Sequence, residues 1–531
     1  MSQKPVPAEK CASHLRNIVA YSVAYLFFLG TLLLAHAVRI TKDPAPIGEE
    51  LASGYRNAVY FDHHLQSDGF ATTYSSHLFF WVGSKLLPVT INSARIFKML
   101  LTALLAPIVL ALMLRLLPGI SPGAAWFPVL LLPLLPTISW YGIMGFEYII
   151  DLMFSFGALL AALSFNWRPR SLIFWIKLCA FCALIGFTLH LYSASLPVLL
   201  VSVGVMLWRL WITQTGYRHW LTSALLSLLF VGLLTLSGAW PYFYYRDEYL
   251  PILRGGGQLL LTKEALSENL HLNYLDLFTR SSSYLMGGYL DYPCFPFFRG
   301  GILILSLMFI GAFSARRSPE ILWLVLIGGM SLAITLLIGV TPGIRRAMPL
   351  LVVVCMLAGL ALDWLSTRKS PRMRVVLTAL CTAIGVVSCW DFYPSVPWWA
   401  FLIAGTLFLI LSLLPWARHE TFGRALAPCL GLLFLFAPLA TYLGTYAGIA
   451  DHYESWLQRQ FKYLPGMGYA ETMEELVRQL QEKQIELSSD EYHHDTFVFL
   501  DLICKRRHLH CIPPKFIGSG WMDSRITLFA E

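Results

Sequence analysis

Residues 17–38 read NIVAYSVAYLFFLGTLLLAHAV, an apolar run without a formal charge. About 20 such residues, at 1.5 Å of rise each, cross the ~30 Å hydrocarbon core of a bilayer as one α-helix. Similar runs recur along the chain and predict about thirteen membrane spans. We place them at 17–38, 91–116, 124–143, 148–166, 172–192, 195–213, 220–240, 300–315, 320–340, 347–365, 374–392, 398–415 and 425–447. The predicted fold class is therefore an α-helical polytopic membrane protein.

The composition supports this class. Of 531 residues, 57% are hydrophobic and 13% are charged, which excludes a disordered chain and an ordinary soluble domain. The net charge of +8 would also suit nucleic acid, but the cations are dispersed among short loops between the spans. We expect membrane lipids as partners, and no nucleic acid.

The basic residues predict the orientation, because Lys and Arg in short loops are retained in the cytoplasm. Lys4, Lys10 and Arg16 precede the first span. The other loops on that side carry Arg168, Arg170, Arg218, Arg316, Arg317, Arg368, Lys369, Arg372, Arg374, Arg418 and Arg424. An odd number of spans then gives a cytoplasmic N-terminus and an extracytoplasmic C-terminus in the cytoplasmic (inner) membrane. The first span has no Ala-x-Ala-like cleavage site after it, and we expect it to be a retained anchor.

Three long polar segments fall on the outer side. The transmembrane domain, 1–447, contains the first outer loop at 39–90, with two interfacial helices, and a second at 241–299. Residues 448–531 are expected to form a small α/β module. Within it, 470–480 has a helical apolar period, and 496–500 and 525–529 are candidate strands. Cys504 and Cys511 favour a disulfide or free thiols over a metal site, although His508 and His510 lie between them.

Ionisable groups at the outer ends of the spans are the candidate functional residues, because such groups are costly near a bilayer. One set follows the first span: Asp43, Glu49, Glu50, Asp62 and Asp68. A second set lies near the fourth and fifth spans: Glu147, Asp151, His190 and Tyr192. The third is Arg345-Arg346, an exception to the charge rule because it lies on the outer side.

Carboxylates facing arginines at a membrane surface suit the transfer of a group from a lipid-linked phosphate to a hydroxyl. A carboxylate takes the proton of the hydroxyl, and a guanidinium holds the phosphate through two parallel hydrogen bonds. Structural roles stay open at this point. In the structural alternative, most of the loop acids are exposed to solvent and Asp151 forms a hydrogen bond with a neighbouring helix. The two arginines then extend toward lipid headgroups and have no substrate role.

Several short motifs resemble the GT-C superfamily of membrane glycosyltransferases, which includes protein mannosyltransferases and aminoarabinose transferases. Residues 42–87 occupy the place of the family's outer loop with the catalytic acid, and residues 73–81 with Arg95 resemble its polar-aromatic stretch and following arginine. Glu147 and Asp151 match its acidic position at the fourth span, and 345–349 matches its Arg-x-x-x-Pro. The usual adjacent Asp-Asp or Asp-Glu pair is absent, and Ser75-Ser76 replaces the Pro-Pro step.

The resemblance implies a polyprenyl-phosphate sugar donor and a glycan, lipid or protein acceptor. In this interpretation an acid among Glu49, Glu50, Asp62 and Asp43 is the catalytic base, and Arg345 or Arg346 binds the donor phosphate. Glu147 and Asp151, with His190 and Tyr192 nearby, orient groups in the pocket or hold a divalent cation. Two alternatives are a non-catalytic membrane subunit of an envelope assembly, and a transporter or flippase for a lipid-linked saccharide.

Overall fold

The fold is described from a computed structural model. It covers residues 7–40, 79, 82–83, 85–87, 91–143, 149–164, 172–189, 191, 193–213, 217–244, 308, 311–312, 318–337, 344–367, 469–482, 486–488, 504, 509–511 and 515–517. The helices in these ranges are α1 Pro7–Ile40, α2 Ile91–Thr102, α3 Leu105–Leu116, α4 Pro122–Leu131, α5 Pro136–Ile143, α6 Ile150–Ser164, α7 Leu172–Leu189, α8 Leu196–Thr213, α9 Tyr217–Tyr244, α10 Glu320–Leu337, α11 Ile344–Thr367 and α12 Tyr469–Glu482. Two 3-10 turns accompany them, η1 Leu132–Leu134 and η2 Ser193–Ser195.

The helices follow the predicted spans in order. Four described stretches are long and apolar enough to cross a membrane: Arg16–Ala37, Ser93–Leu116, Leu172–Leu189 and Leu196–Thr213. Shorter apolar helices lie at Pro122–Leu134, Ile150–Ser164, Glu320–Ala333 and Met348–Trp364. The spans predicted at 374–392, 398–415 and 425–447 lie outside the described residues, so the total of thirteen stays a prediction.

Two predicted spans are interrupted, and proline explains both breaks. In 91–116, α2 ends at Thr102 and α3 starts at Leu105, because Pro107 has no N–H to donate to the Ala103 carbonyl. In 124–143, α4 gives way to η1, which contains Pro133, and α5 starts at Pro136. Ser93–Leu116 is still one stretch long enough to cross a membrane, so this predicted span is confirmed with a local break.

The helices form one bundle with α6 near its centre. Helix α6 packs against α3, α7 and α8, while α11 packs against α4 and α10. Small residues allow the closest approaches. A Cβ on Gly359 of α11 would lie 2.7 Å from the Ala124 carbonyl oxygen of α4, so these backbones touch.

Polar contacts mark two opposite ends of the bundle. At one end, Asp363 in the C-terminal part of α11 accepts a hydrogen bond from the Ser121 backbone N–H at 2.8 Å. We call this the Asp363 end. Arg115, at the close of α3, donates there from Nε to the Leu163 carbonyl at 3.0 Å. Helix α6 runs from Asp151 to Leu163, so Asp151 marks the other end, which we call the Asp151 end.

Short pieces of the C-terminal segment 448–531 are described, and its assignment as an extracytoplasmic α/β module stays a prediction. Helix α12 confirms the predicted helix at 470–480, and its Leu476, Val477 and Leu480 are buried. Strands β1, Glu486–Ser488, and β2, Lys515–Ile517, pair in parallel, with Leu487 opposite Phe516. The strands predicted at 496–500 and 525–529 lie outside the described residues. Cys504 and Cys511 form a disulfide with a Cα–Cα distance of 6.1 Å, which is one of the two states left open by the sequence.

Candidate functional site

The start of α6 has an unusual backbone. Ile149 has a φ of 77°, in the left-handed region that a β-branched residue rarely adopts, and the helix begins only at Ile150. Strained backbone of this kind concentrates at functional sites, where the surrounding packing maintains it. Glu147 lies outside the described residues, so its position relative to Asp151 stays a prediction.

Asp151 is the described carboxylate at this end, and it is buried with 1% of its surface exposed. Ser195 of η2 donates its hydroxyl to Asp151 Oδ2 at 2.5 Å, which joins α6 to the turn before α8. The Asp151 charge also interacts with the Lys98 ammonium. Asp151 thus makes the hydrogen bond to a neighbouring element that the sequence analysis left open as a structural role. Its Oδ1 has no hydrogen-bond donor within the described residues.

Two buried cations lie on α2. Arg95 and Lys98 are 1% and 0% exposed, and their i, i+3 spacing puts them on one face of the helix. Because α2 and α6 pack together, this face lies beside the start of α6. With Asp151, these side chains place three charged groups together at this end of the bundle.

Apolar and aromatic side chains enclose the same end. The rings of Phe79, Phe154 and Phe187 lie 5.2 to 5.4 Å apart, centroid to centroid, in tilted and edge-to-face contacts. They pack on a small buried cluster that contains Ile150 and Leu191. This packing keeps water from the low-dielectric side of the site, where charge–charge interactions are strong.

Helix α11 brings Arg345 and Arg346 to this end. The C-terminal part of α11 contains Asp363, which lies at the Asp363 end of the bundle. The helix has 24 residues and is roughly 36 Å long, so its two termini lie at opposite ends of the bundle. Its N-terminal turn, which contains both arginines, therefore lies toward the Asp151 end, and α11 also packs against η2. A shared site of the two arginines with Asp151 stays a prediction.

Other predicted site residues lie outside the described part of the chain: Asp43, Glu49, Glu50, Asp62, Glu147, His190 and Tyr192. Their roles stay predictions. The described residues contain no group of three or more His, Cys, Asp or Glu side chains placed to hold a metal ion. A divalent cation at this site also stays a prediction.

Lys98 is the residue that the sequence reasoning missed. It lies inside a predicted span, where an ionisable side chain is expensive unless it has a functional or pairing role. That rule pointed to Asp151 and applies equally to Lys98. Since Arg95 is one helical turn away, the pair was visible as a basic face of an otherwise apolar helix.

The comparisons with known proteins bear on the fold. No family model and no curated protein matches the chain. Among solved structures, ArnT from Cupriavidus metallidurans in the apo state is similar at 14% identity and a TM-score of 0.53, over 96% of this chain and 87% of that chain. The same enzyme bound to undecaprenyl phosphate gives 15% identity and a TM-score of 0.49, over 97% and 87% of the chains. The Archaeoglobus fulgidus oligosaccharyltransferase in the apo form gives 13% and 0.48, over 95% and 65%. The first of these likenesses, across nearly the whole chain, shows that the protein shares the fold of ArnT.

Proposed function

We propose that this protein is a membrane glycosyltransferase that moves a sugar from a polyprenyl-phosphate donor to an acceptor on the extracytoplasmic face. The observation that carries the proposal is the convergence of charge at one end of a GT-C-like bundle. Buried Arg95, Lys98 and Asp151 lie at the end toward which α11 brings Arg345 and Arg346.

The basic residues at this end suit the donor. A sugar linked to polyprenyl phosphate brings a negative phosphate to the membrane surface, and its charge grows as the sugar leaves. In the proposed mechanism Arg345 or Arg346 binds this phosphate, since a guanidinium forms two parallel hydrogen bonds with two phosphate oxygens. The buried Lys98 lies close enough for its charge to act on the Asp151 carboxylate.

The proposed reaction is a displacement at the anomeric carbon. The acceptor hydroxyl attacks that carbon, the bond from carbon to phosphate oxygen breaks, and polyprenyl phosphate leaves. One acid among Glu49, Glu50, Asp62 and Asp43 takes the hydroxyl proton. Asp151 is a positioning residue here. Its Oδ2 accepts the Ser195 hydroxyl, and its Oδ1, which has no hydrogen bond within the described residues, is proposed to orient another group of the pocket. Glu147, His190 and Tyr192 stay the predicted candidates for that group.

The chemistry of a structural neighbour agrees with this donor class. ArnT from Cupriavidus metallidurans, which has a similar fold, has been solved with undecaprenyl phosphate. We place the Asp151 end on the extracytoplasmic side of the cytoplasmic membrane, because the loops at the Asp363 end carry most of the basic residues. The acceptor, whether glycan, lipid or protein, then meets the donor outside the cytoplasm.

Two readouts on proteoliposomes test the proposal. The first is transfer or release of radiolabelled sugar from a panel of undecaprenyl-phosphate-linked sugars, and the second is binding of undecaprenyl phosphate itself. Arg345→Gln with Arg346→Gln should weaken lipid binding at least tenfold, because two charge-assisted contacts of roughly 1.5–3 kcal/mol each are at stake. Arg218→Gln, an exposed arginine on α9, is the matched control.

The base assignment is tested separately. Asp43→Asn, Glu49→Gln, Glu50→Gln and Asp62→Asn, combined in one protein, should abolish sugar transfer and leave undecaprenyl phosphate binding intact. Unchanged transfer by this variant would refute the base assignment. Wild-type protein that neither binds undecaprenyl phosphate nor consumes any donor would overturn the proposed function.

A further inference from the structure

A second charged cluster lies at the Asp363 end, far from the proposed active site. It contains Arg115 at the close of α3, Arg209 near the close of α8 and Glu320 at the start of α10. Arg115 and Arg209 are close enough for their charges to repel each other. We call the surface around these three residues the Arg115–Arg209 site. It comes from helices that pack side by side in the order α3, α6, α8, α10.

The guanidinium groups of this site are incompletely satisfied. Arg209 Nη2 lies 3.7 Å from Glu320 Oε1, which is an ion pair too long for a hydrogen bond. The other Glu320 oxygen, Oε2, accepts the Ser318 hydroxyl at 2.6 Å. Arg209 Nε is shielded from solvent and has no hydrogen-bond acceptor within the described ranges. A partly buried guanidinium with an unused donor is costly, so an anionic acceptor would stabilise it.

The charge of the site also favours an anion. Glu320 offsets one of the two positive charges. Arg115 Nε donates a hydrogen bond to the Leu163 carbonyl, which is neutral and leaves the arginine charge uncompensated. Asp363, at the same end, accepts the Ser121 backbone N–H at 2.8 Å. The three residues of the Arg115–Arg209 site therefore carry a formal excess of one positive charge.

The surroundings are those of a membrane interface. The Arg209 guanidinium carbon lies 5.9 Å from the Trp208 ring centroid, and the rings of Trp208 and Trp323 lie 6.0 Å apart. Trp211 is 65% exposed on the same helical end. Tryptophans concentrate where lipid headgroups meet the hydrocarbon core, so the two arginines lie at headgroup depth.

We infer that the Arg115–Arg209 site binds the phosphate of an anionic phospholipid headgroup, with Arg209 and Arg115 as donors and the tryptophans against the glycerol and upper acyl chains. Basic pockets between membrane helices bind such headgroups by this chemistry. The inference does not depend on sugar transfer, because the site lies at the opposite end of the bundle from Asp151.

The test uses the full-length protein in neutral detergent micelles, titrated with phosphatidylglycerol, with phosphatidylcholine and with inorganic phosphate. Native mass spectrometry counts the bound lipids and gives their affinity. Phosphatidylglycerol should bind the wild type in preference to phosphatidylcholine. Arg115→Gln and Arg209→Gln should each weaken it about fivefold, the effect of one interfacial basic residue. Arg218→Gln, an exposed arginine on α9, should bind as the wild type does.

A gain-of-binding variant guards against misfolding of the arginine variants. Glu320→Gln removes the competing carboxylate and should strengthen phosphatidylglycerol binding severalfold, because Arg209 then has no charged protein partner among the contacts described. Equal binding of phosphatidylglycerol by wild type, Arg209→Gln and Glu320→Gln would overturn the inference. So would phosphatidylcholine binding as strong as that of phosphatidylglycerol. Inorganic phosphate that displaces no lipid supports a lipid-specific site, whereas phosphate binding without any bound lipid would overturn the lipid assignment.

Discussion

The buried pair of Lys98 and Asp151 allows a quantitative prediction. Both side chains are essentially inaccessible to solvent, and the Lys98 ammonium favours the charged form of the Asp151 carboxylate. Removing one partner of a buried pair leaves an uncompensated charge and costs about 3–5 kcal/mol. Lys98→Met and Asp151→Asn should each lower the free energy of unfolding by about 3 kcal/mol, whereas the double variant, which keeps no unpaired charge, should lose roughly the same amount and not twice as much.

The expected coupling energy is therefore about 3 kcal/mol, well above the 0.3–0.5 kcal/mol scatter of independent sites. Reversible unfolding in mixed SDS micelles, followed by tryptophan fluorescence, measures all four proteins of the cycle. Arg218→Met, at an exposed arginine, is the control and should change stability by less than about 0.5 kcal/mol. Additive losses in the double variant would refute the pairing of Lys98 with Asp151.

Two further predictions concern packing and the tail. Gly359→Ala should destabilise the bundle by about 1–3 kcal/mol, because its Cβ would lie 2.7 Å from the Ala124 carbonyl oxygen. The control Gly329→Ala should be neutral, because nothing lies within 4 Å of its Cβ. Equal midpoints of thermal unfolding for the two variants would contradict this prediction. Cys504→Ser should destabilise the tail by about 2–3 kcal/mol, because the disulfide that closes a short loop is lost. In the wild type, mass spectrometry should find no maleimide on Cys504 or Cys511 before reduction. Labelling of both without reductant would contradict it.

The membrane fold was predictable because its signal is long and local. An apolar run of about 20 residues specifies a span wherever it occurs, which is why the described helices follow the predicted order. The breaks at Pro107 and Pro133 were also written in the sequence, but the prediction counted apolar length and gave the missing proline N–H no weight. The three-residue strands of the tail were too short to produce a periodic pattern.

The sequence was enough to select Asp151 as a candidate site residue, but not to predict which residues it contacts. Asp151 was selected because an ionisable group in a span needs a reason, and the same rule would have selected Lys98. Its hydrogen-bond partner Ser195 lies 44 residues later, and no local pattern connects two residues so far apart. The left-handed backbone at Ile149 was equally hidden, since β-branched residues normally avoid it.

Labelling from outside the cell tests the central claim, that the Arg345-Arg346 turn lies in an extracytoplasmic cleft that binds the donor phosphate. Arg346→Cys is made in a protein that keeps the Cys504–Cys511 disulfide and lacks the other eight cysteines. A membrane-impermeant maleimide should label it in intact cells, and undecaprenyl phosphate should protect it in proteoliposomes, while Arg218→Cys should be labelled only after permeabilisation. Labelling of Arg346→Cys only after permeabilisation would contradict the account.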